Sequence, residues 1–172
     1  GFAEATLDWK PRRGALQTYE HLQLQAKTQL QGKITGTPYW ELIAHREGLG
    51  LARLPAPSPG DIFFDIEGDP FVGVDGLAYM FGYAFRDGPG DLVYCREWAT
   101  NAAQEKQAFE GFIDFVLARQ QQHPGLHIYH FAPYEPAALK RLMGRYATRE
   151  DALDGLLRSE RFVDLFSVVR NG

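Results

Sequence analysis

The chain has 172 residues, a formal charge of −4, 45% hydrophobic and 23% charged side chains, and a single cysteine. That length carries a core of its own, and the composition excludes wholesale disorder. A lone Cys95 excludes a disulfide framework and a cysteine-based zinc site, and fits a reducing, cytoplasmic setting. No apolar run approaches a membrane span, so no membrane partner is expected. Residues 1–60 carry 7 basic and 5 acidic side chains, whereas residues 61–172 carry 11 and 17. The acidic balance counts against a free-standing, tight nucleic-acid binder, because phosphate contacts supply most of such affinity. It does not count against a metal enzyme, whose carboxylates are partly neutralised by its ions.

Residues 1–15 lack periodicity and read as a loose arm around Lys10-Pro11-Arg12-Arg13-Gly14. Thr18 is placed to cap a helix to about Gln31, with Tyr19, Leu22, Ala26 and Leu30 on one face and Gly32 as its stop. Thr37-Pro38 predicts a short helix through Ile43. Pro55-Ala56-Pro57-Ser58-Pro59-Gly60 reads as a stiff linker, dividing a helical arm and connector (1–54) from a main domain (61–172).

Strands are predicted over Ile62 to Ile66, Leu77 to Phe85 and Asp91 to Trp98, joined closely enough for an antiparallel meander. Asn101, with Gln104 three residues on, opens a helix to about Gln122 that turns Phe109, Phe112, Ile113 and Val116 inward. Leu126 to Phe131 reads as a fourth strand, reached through a helix and so parallel to the first. Pro136 suits the first turn of a helix with Leu139, Leu142, Met143 and Tyr146 as its stripe. Thr148 is placed to cap another helix through Leu157, and Arg161 to Val169 is an apolar run holding Asp164.

The chemistry concentrates on the first strand. Side chains alternate along a strand, so Ile62, Phe64 and Ile66 share one face while Asp65 and Glu67 share the other. Neighbouring carboxylates repel and lose hydration unless something positive lies between them. No Lys or Arg occurs from Gly60 to Phe85, and hard oxygen ligands suit Mg²⁺ or Mn²⁺. The plainer reading is that Asp65 and Glu67 face water at the strand end.

The order β-β-β-α-β-α-α-β with Asp65-x-Glu67 resembles the RNase H-like fold of the DEDD exonucleases. It implies an α/β architecture: a mixed five-stranded sheet, three strands antiparallel and the later ones parallel, flanked by helices. In Tyr129-His130-Phe131-Ala132-Pro133-Tyr134-Glu135, Glu135 takes the place of that superfamily's second-motif carboxylate, and His130 stands where many members have Asn. The stretch from Leu54 to Pro70, with Phe162-Val163-Asp164-Leu165, is similar to the YprB-type exonuclease domain of large bacterial proteins. There the domain lies between a RecB-type nuclease and a helicase, which are the partners this resemblance implies.

By that resemblance Asp65, Glu67 and Glu135 are the candidate catalytic residues and ligands of two Mg²⁺ or Mn²⁺ ions, with Asp164 a further candidate ligand. Two ions about 3.5–4 Å apart activate water and stabilise the leaving oxygen in phosphodiester cleavage. Tyr134, His130, Lys140 and Arg141 are candidate contacts to a DNA or RNA substrate; the plainer readings are a structural His130, a Tyr134 that fills the core, and a solvated helix face shared by Lys140, Arg141 and Arg145. His127 and His130 lie three apart on a strand and make a poor zinc pair, and Asp69 and Asp75 read as turn residues. The superfamily's last motif, a Tyr or His followed by Asp on a C-terminal helix, finds no match. The chain starts on Gly1 and ends at Asn171-Gly172. An excerpt truncated before the fourth carboxylate and general base is therefore expected, with weak or no activity alone. The competing functions are a non-catalytic scaffold of the same fold and a Mg²⁺-dependent phosphohydrolase, for which Asp-x-Asp is usual.

Overall fold

The computed structural model describes residues 14–44, 46–88 and 90–170. Most of the expected N-terminal arm, Pro89 of the expected turn and the two C-terminal residues lie outside these. The chain divides into two compact units, Gly1–Ala44 and His45–Gly172. The Pro-rich stretch 55–60 sits inside the second.

In the first unit, helix α1 spans Leu16–Thr35 and ends at Gly36, whose left-handed backbone (φ 70°) is an ordinary helix stop. This corrects two expectations. Thr18 lies inside the helix instead of capping it, and Gly32 does not end it. Gly32 instead leaves room for the returning chain, since a Cβ there would meet the Thr37 carbonyl at 3.2 Å. The helix expected over 38–43 does not form. Thr35 Oγ1 bonds the Thr37 carbonyl and contacts its hydroxyl, so Thr37 is engaged backwards and offers no cap to residues 38–43.

The second unit begins with a 3₁₀ turn at Gly50–Arg53. Its sheet holds β1 (Ile62–Asp69), β2 (Leu77–Arg86), β3 (Leu92–Trp98), β4 (Ile128–His130) and β5 (Phe162–Asp164), in the order β3-β2-β1-β4-β5. β1 pairs antiparallel with β2 and parallel with β4; β2–β3 is antiparallel and β4–β5 parallel. The predicted meander and parallel return are therefore present. Helices α2 (Ala102–Gln122), α3 (Tyr134–Tyr146) and α4 (Glu150–Arg158) supply the crossovers, and α5 (Leu165–Arg170) follows β5. The apolar run 161–169 thus holds a short edge strand and a helix.

Burial along β1 alternates strictly from Ile62 to Glu67, with Ile62, Phe64 and Ile66 inward. Phe64 stacks on Phe112 of α2 with ring centroids 3.7 Å apart, and Phe109, Ile113, Leu139, Leu142, Leu153 and Leu156 complete one continuous core. Asn101 caps α2 by accepting the Gln104 amide at 3.0 Å. Gln104 reaches back one residue further than a standard capping box, to the Thr100 amide and hydroxyl at 2.8 Å each. Thr148 does not cap α4: its hydroxyl donates to Glu110 at 2.7 Å, and Arg149 takes the cap position with φ 57°.

Two buried charges fasten the layers. Arg119 donates to the carbonyls of Gly60 (2.8 Å), Pro59 (3.0 Å) and Arg86 (2.6 Å), tying α2 to the start of β1 and the end of β2. Glu105 is fully buried and accepts from the Ala78 amide, Tyr146 Oη and, at 2.7 Å, Arg145. Arg145 also donates to the carbonyls of Gly76 and Asp75. The basic helix face expected of Lys140, Arg141 and Arg145 is therefore corrected at Arg145, which turns inward to a carboxylate on α2. Removing one partner of a buried pair leaves the other uncompensated. Glu105→Ala should therefore lower stability by about 3–5 kcal/mol, measured by urea unfolding.

Candidate active site

Because Ile62, Phe64 and Ile66 hold the core, Asp65 and Glu67 must emerge on the opposite face, and both are exposed. The β1–β2 register shifts between Glu67 and Gly68, a bulge that opens the strand end. Around it lies a cleft of about 380 Å³ whose walls include Asp65, Glu67, Gly68, Asp69, Pro70, Leu77, Tyr134 and Arg141. Asp69 turns the chain away by accepting the Phe71 amide at 2.8 Å, the turn role expected of it. A Cβ on Gly68 would sit 2.7 Å from the Tyr134 hydroxyl, so the missing side chain lets that phenol lie close over the strand. Among the predicted nucleic-acid contacts, Tyr134 and Arg141 line this cleft.

Lys140 is exposed but is not part of the cleft wall. His130 is only 5% exposed; it lies against the residues just after it in the chain and cannot serve as a surface contact. Its Nδ1 donates to the Ala132 carbonyl at 2.7 Å, and burial lowers its pKa despite that bond and the nearby Asp164 charge. His127 is occupied elsewhere, with Nδ1 3.1 Å from Asp61 at the far end of β1.

Glu135 lies in the first turn of α3, 3% exposed. Its Oε2 is 3.3 Å from His130 Nδ1, but that proton is directed at Ala132, and among the described residues Oε2 has no hydrogen-bond partner. Burial pushes the Glu135 pKa up to about 7, the neighbouring Asp65 and then Asp164 add to the rise, and only its own backbone amide opposes it. Asp164 is engaged through Oδ1, which accepts the amides of Ala132 and Phe166 at 2.9 Å each. The sequence expectation of clustered Asp65, Glu67, Glu135 and Asp164 thus resolves into three layers. Asp65 and Glu67 stand at the cleft, Glu135 lies buried beside Asp65, and Asp164 is bonded to the backbone amides of Ala132 and Phe166.

Among the described residues no three His, Cys, Asp or Glu side chains form a ready metal cage. The donor chemistry nevertheless fits a hard divalent cation. Asp65, Glu67 and Glu135 offer only oxygens, and the buried Oε2 of Glu135 has no hydrogen-bond partner among the described residues. The role of Ala132, whose backbone is left-handed (φ 69°), is not signalled by the sequence. No glycine or asparagine marks the position, and the following Pro133 biases it toward extended backbone, the opposite of what is found.

A family model described as the RNase H superfamily matches residues 62–172. No curated protein and no solved structure matches the chain. The mixed sheet, with its antiparallel meander followed by parallel strands, is the fold expected from the sequence.

The raised Glu135 pKa fixes a pH dependence. The folded state keeps the Glu135 proton between about 4.5, its ordinary value, and about 7. Over that window the folded state binds more protons than the unfolded one, so stability falls as pH rises. Without metal, thermal unfolding should show a loss on the order of 2 kcal/mol from pH 4.5 to 7.5. Glu135→Gln should flatten that slope.

Proposed function

The chain belongs to the RNase H superfamily, and on that premise we propose that it is a metal-dependent nuclease, a 3′–5′ exonuclease domain acting on DNA or RNA. The carrying observation is the buried, unpartnered Oε2 of Glu135 beside Asp65. Asp65, Glu67 and Glu135 would hold Mg²⁺ or Mn²⁺. Two such ions, when bound, lower the pKa of an attacking water and stabilise the leaving oxygen of the phosphodiester. The chain's own part is positional. β1 presents two carboxylates at a fixed spacing, and α3 brings a third from behind. Tyr134 offers a ring for a base to stack on, and Arg141 a guanidinium for a phosphate.

Glu135 must give up its proton to serve as a ligand, so metal affinity should rise with pH up to about 7 and binding should release protons below it. A place in the cytoplasm, within a longer repair or recombination protein carrying RecB-type nuclease and helicase domains, belongs to the same reading. It is supported by the single cysteine and by the resemblance of residues 54–70.

The test is Mn²⁺ titration by calorimetry in buffers of different ionisation heat, beside Asp65→Ala, with cleavage of an end-labelled single strand as the second readout. Expected are proton-releasing binding in the native chain and affinity at least about tenfold weaker in the variant, the scale of one lost charge-assisted contact. No binding at millimolar Mn²⁺ would reject Asp65, Glu67 and Glu135 as a metal site sufficient in themselves and favour a non-catalytic scaffold of the same fold.

A further inference from the structure

β4 ends at His130 and α3 begins at Tyr134, so three residues carry the chain from the sheet to the helix that bears Glu135. The middle one, Ala132, has φ 69°, a region that penalises any residue with a Cβ. Such a conformation persists only where its surroundings hold it. Here both of its backbone groups are held. The carbonyl accepts from His130 Nδ1 at 2.7 Å, and the amide donates to Asp164 Oδ1 at 2.9 Å. His130 and Asp164 face each other in the β4–β5 register, so one strand pair delivers both. The same Asp164 oxygen accepts the Phe166 amide at 2.9 Å and thereby also starts α5.

We propose that Asp164 and His130 are positioning residues, which place Glu135 by clamping Ala132, and that neither touches metal or substrate. Two neutral amides need only an oxygen acceptor, and an asparagine supplies one as well as an aspartate. A metal ligand at Asp164 would need the charge. His130 is buried, with its one Nδ1 proton already given to the Ala132 carbonyl, which leaves it nothing to offer a phosphate. The metal readout rests on the proposed function; the exchange readout does not.

The experiment compares Asp164→Asn, Asp164→Ala and Asp164→Ala combined with Ala132→Gly, by hydrogen exchange at the Ala132 amide and by Mn²⁺ calorimetry. Asp164→Asn is expected to keep the amide protected and Mn²⁺ affinity within about threefold of native. Asp164→Ala is expected to release the amide and weaken Mn²⁺ by about tenfold or more, the scale set by outer-shell partners of metal ligands. Adding Ala132→Gly, which removes the Cβ penalty, should recover part of that loss. His130→Leu should act like Asp164→Ala, and His130→Asn, which keeps a donor, less so. An Asp164→Asn chain that keeps its protected amide yet loses Mn²⁺ as fully as Asp164→Ala would make Asp164 a ligand and overturn the proposal. An unprotected Ala132 amide in the native chain would overturn it too, whatever the metal does. A native chain that protects the amide but binds no Mn²⁺ would uphold the clamp and reject the metal reading instead.

Discussion

The structure depends on the alternation of β1. Ile62, Phe64 and Ile66 are each at most 4% exposed, and Phe64 is stacked against α2, so the strand has one register. A slip by one residue would put Asp65 and Glu67 into the core and three apolar side chains into water. The placement of the two carboxylates is therefore enforced by hydrophobic burial on the opposite face, at no cost to the site itself. β1 also sits at the junction of the antiparallel and parallel halves of the sheet. The loop after β4 and the first turn of α3 consequently arrive beside its C-terminal half, and Glu135 comes to lie next to Asp65.

What burial gives on one side, electrostatics takes back on the other. Glu135 is desolvated near two further carboxylates, and the chain answers by holding its proton rather than by supplying a base. The backbone that leads to it is costly as well, because Ala132 carries a Cβ in a left-handed conformation. Both costs fall within four residues of each other. Local conflicts of this kind concentrate where function constrains a sequence more than folding does.

The elements that repeat a pattern were legible in the sequence. A half-buried strand prints its period of two, so the shared face of Asp65 and Glu67 followed from Ile62, Phe64 and Ile66 alone. The Asn101 cap was legible because its acceptor and donor lie three residues apart. What failed was what depends on distant partners. Arg145 looked like part of a solvated basic face because its carboxylate, Glu105, lies 40 residues earlier on another helix. Thr37-Pro38 carried a good local helix signal that a backward contact from Thr35 overrode. Thr148 lost its cap role to a carboxylate on α2. Glu135 was reached through family resemblance, since nothing local announces that one glutamate will be buried beside Asp65. Ala132 was not reached at all, because its conformation is imposed by two side chains and not chosen by its own.

The two buried glutamates make the sharpest comparison within this chain. Glu105 is fully buried and meets an arginine, a phenol and a backbone amide, so each of its oxygens is satisfied and the pair serves only to hold α2, α3 and β2 together. Glu135 is buried almost as deeply, yet it lies beside another carboxylate, with one oxygen unpartnered and the nearest histidine donating elsewhere. A fold that can satisfy a buried carboxylate with three donors at one place leaves it open at another. The open one is the one next to Asp65, which lines the cleft. Packing gains nothing from that arrangement, since an apolar residue of the same size would fill the space without the desolvation cost. A cation arriving from the cleft would remove the repulsion, satisfy the free oxygen and displace the proton in a single event. That is the physical reason for reading Glu135 as part of a metal site and Glu105 as part of the scaffold.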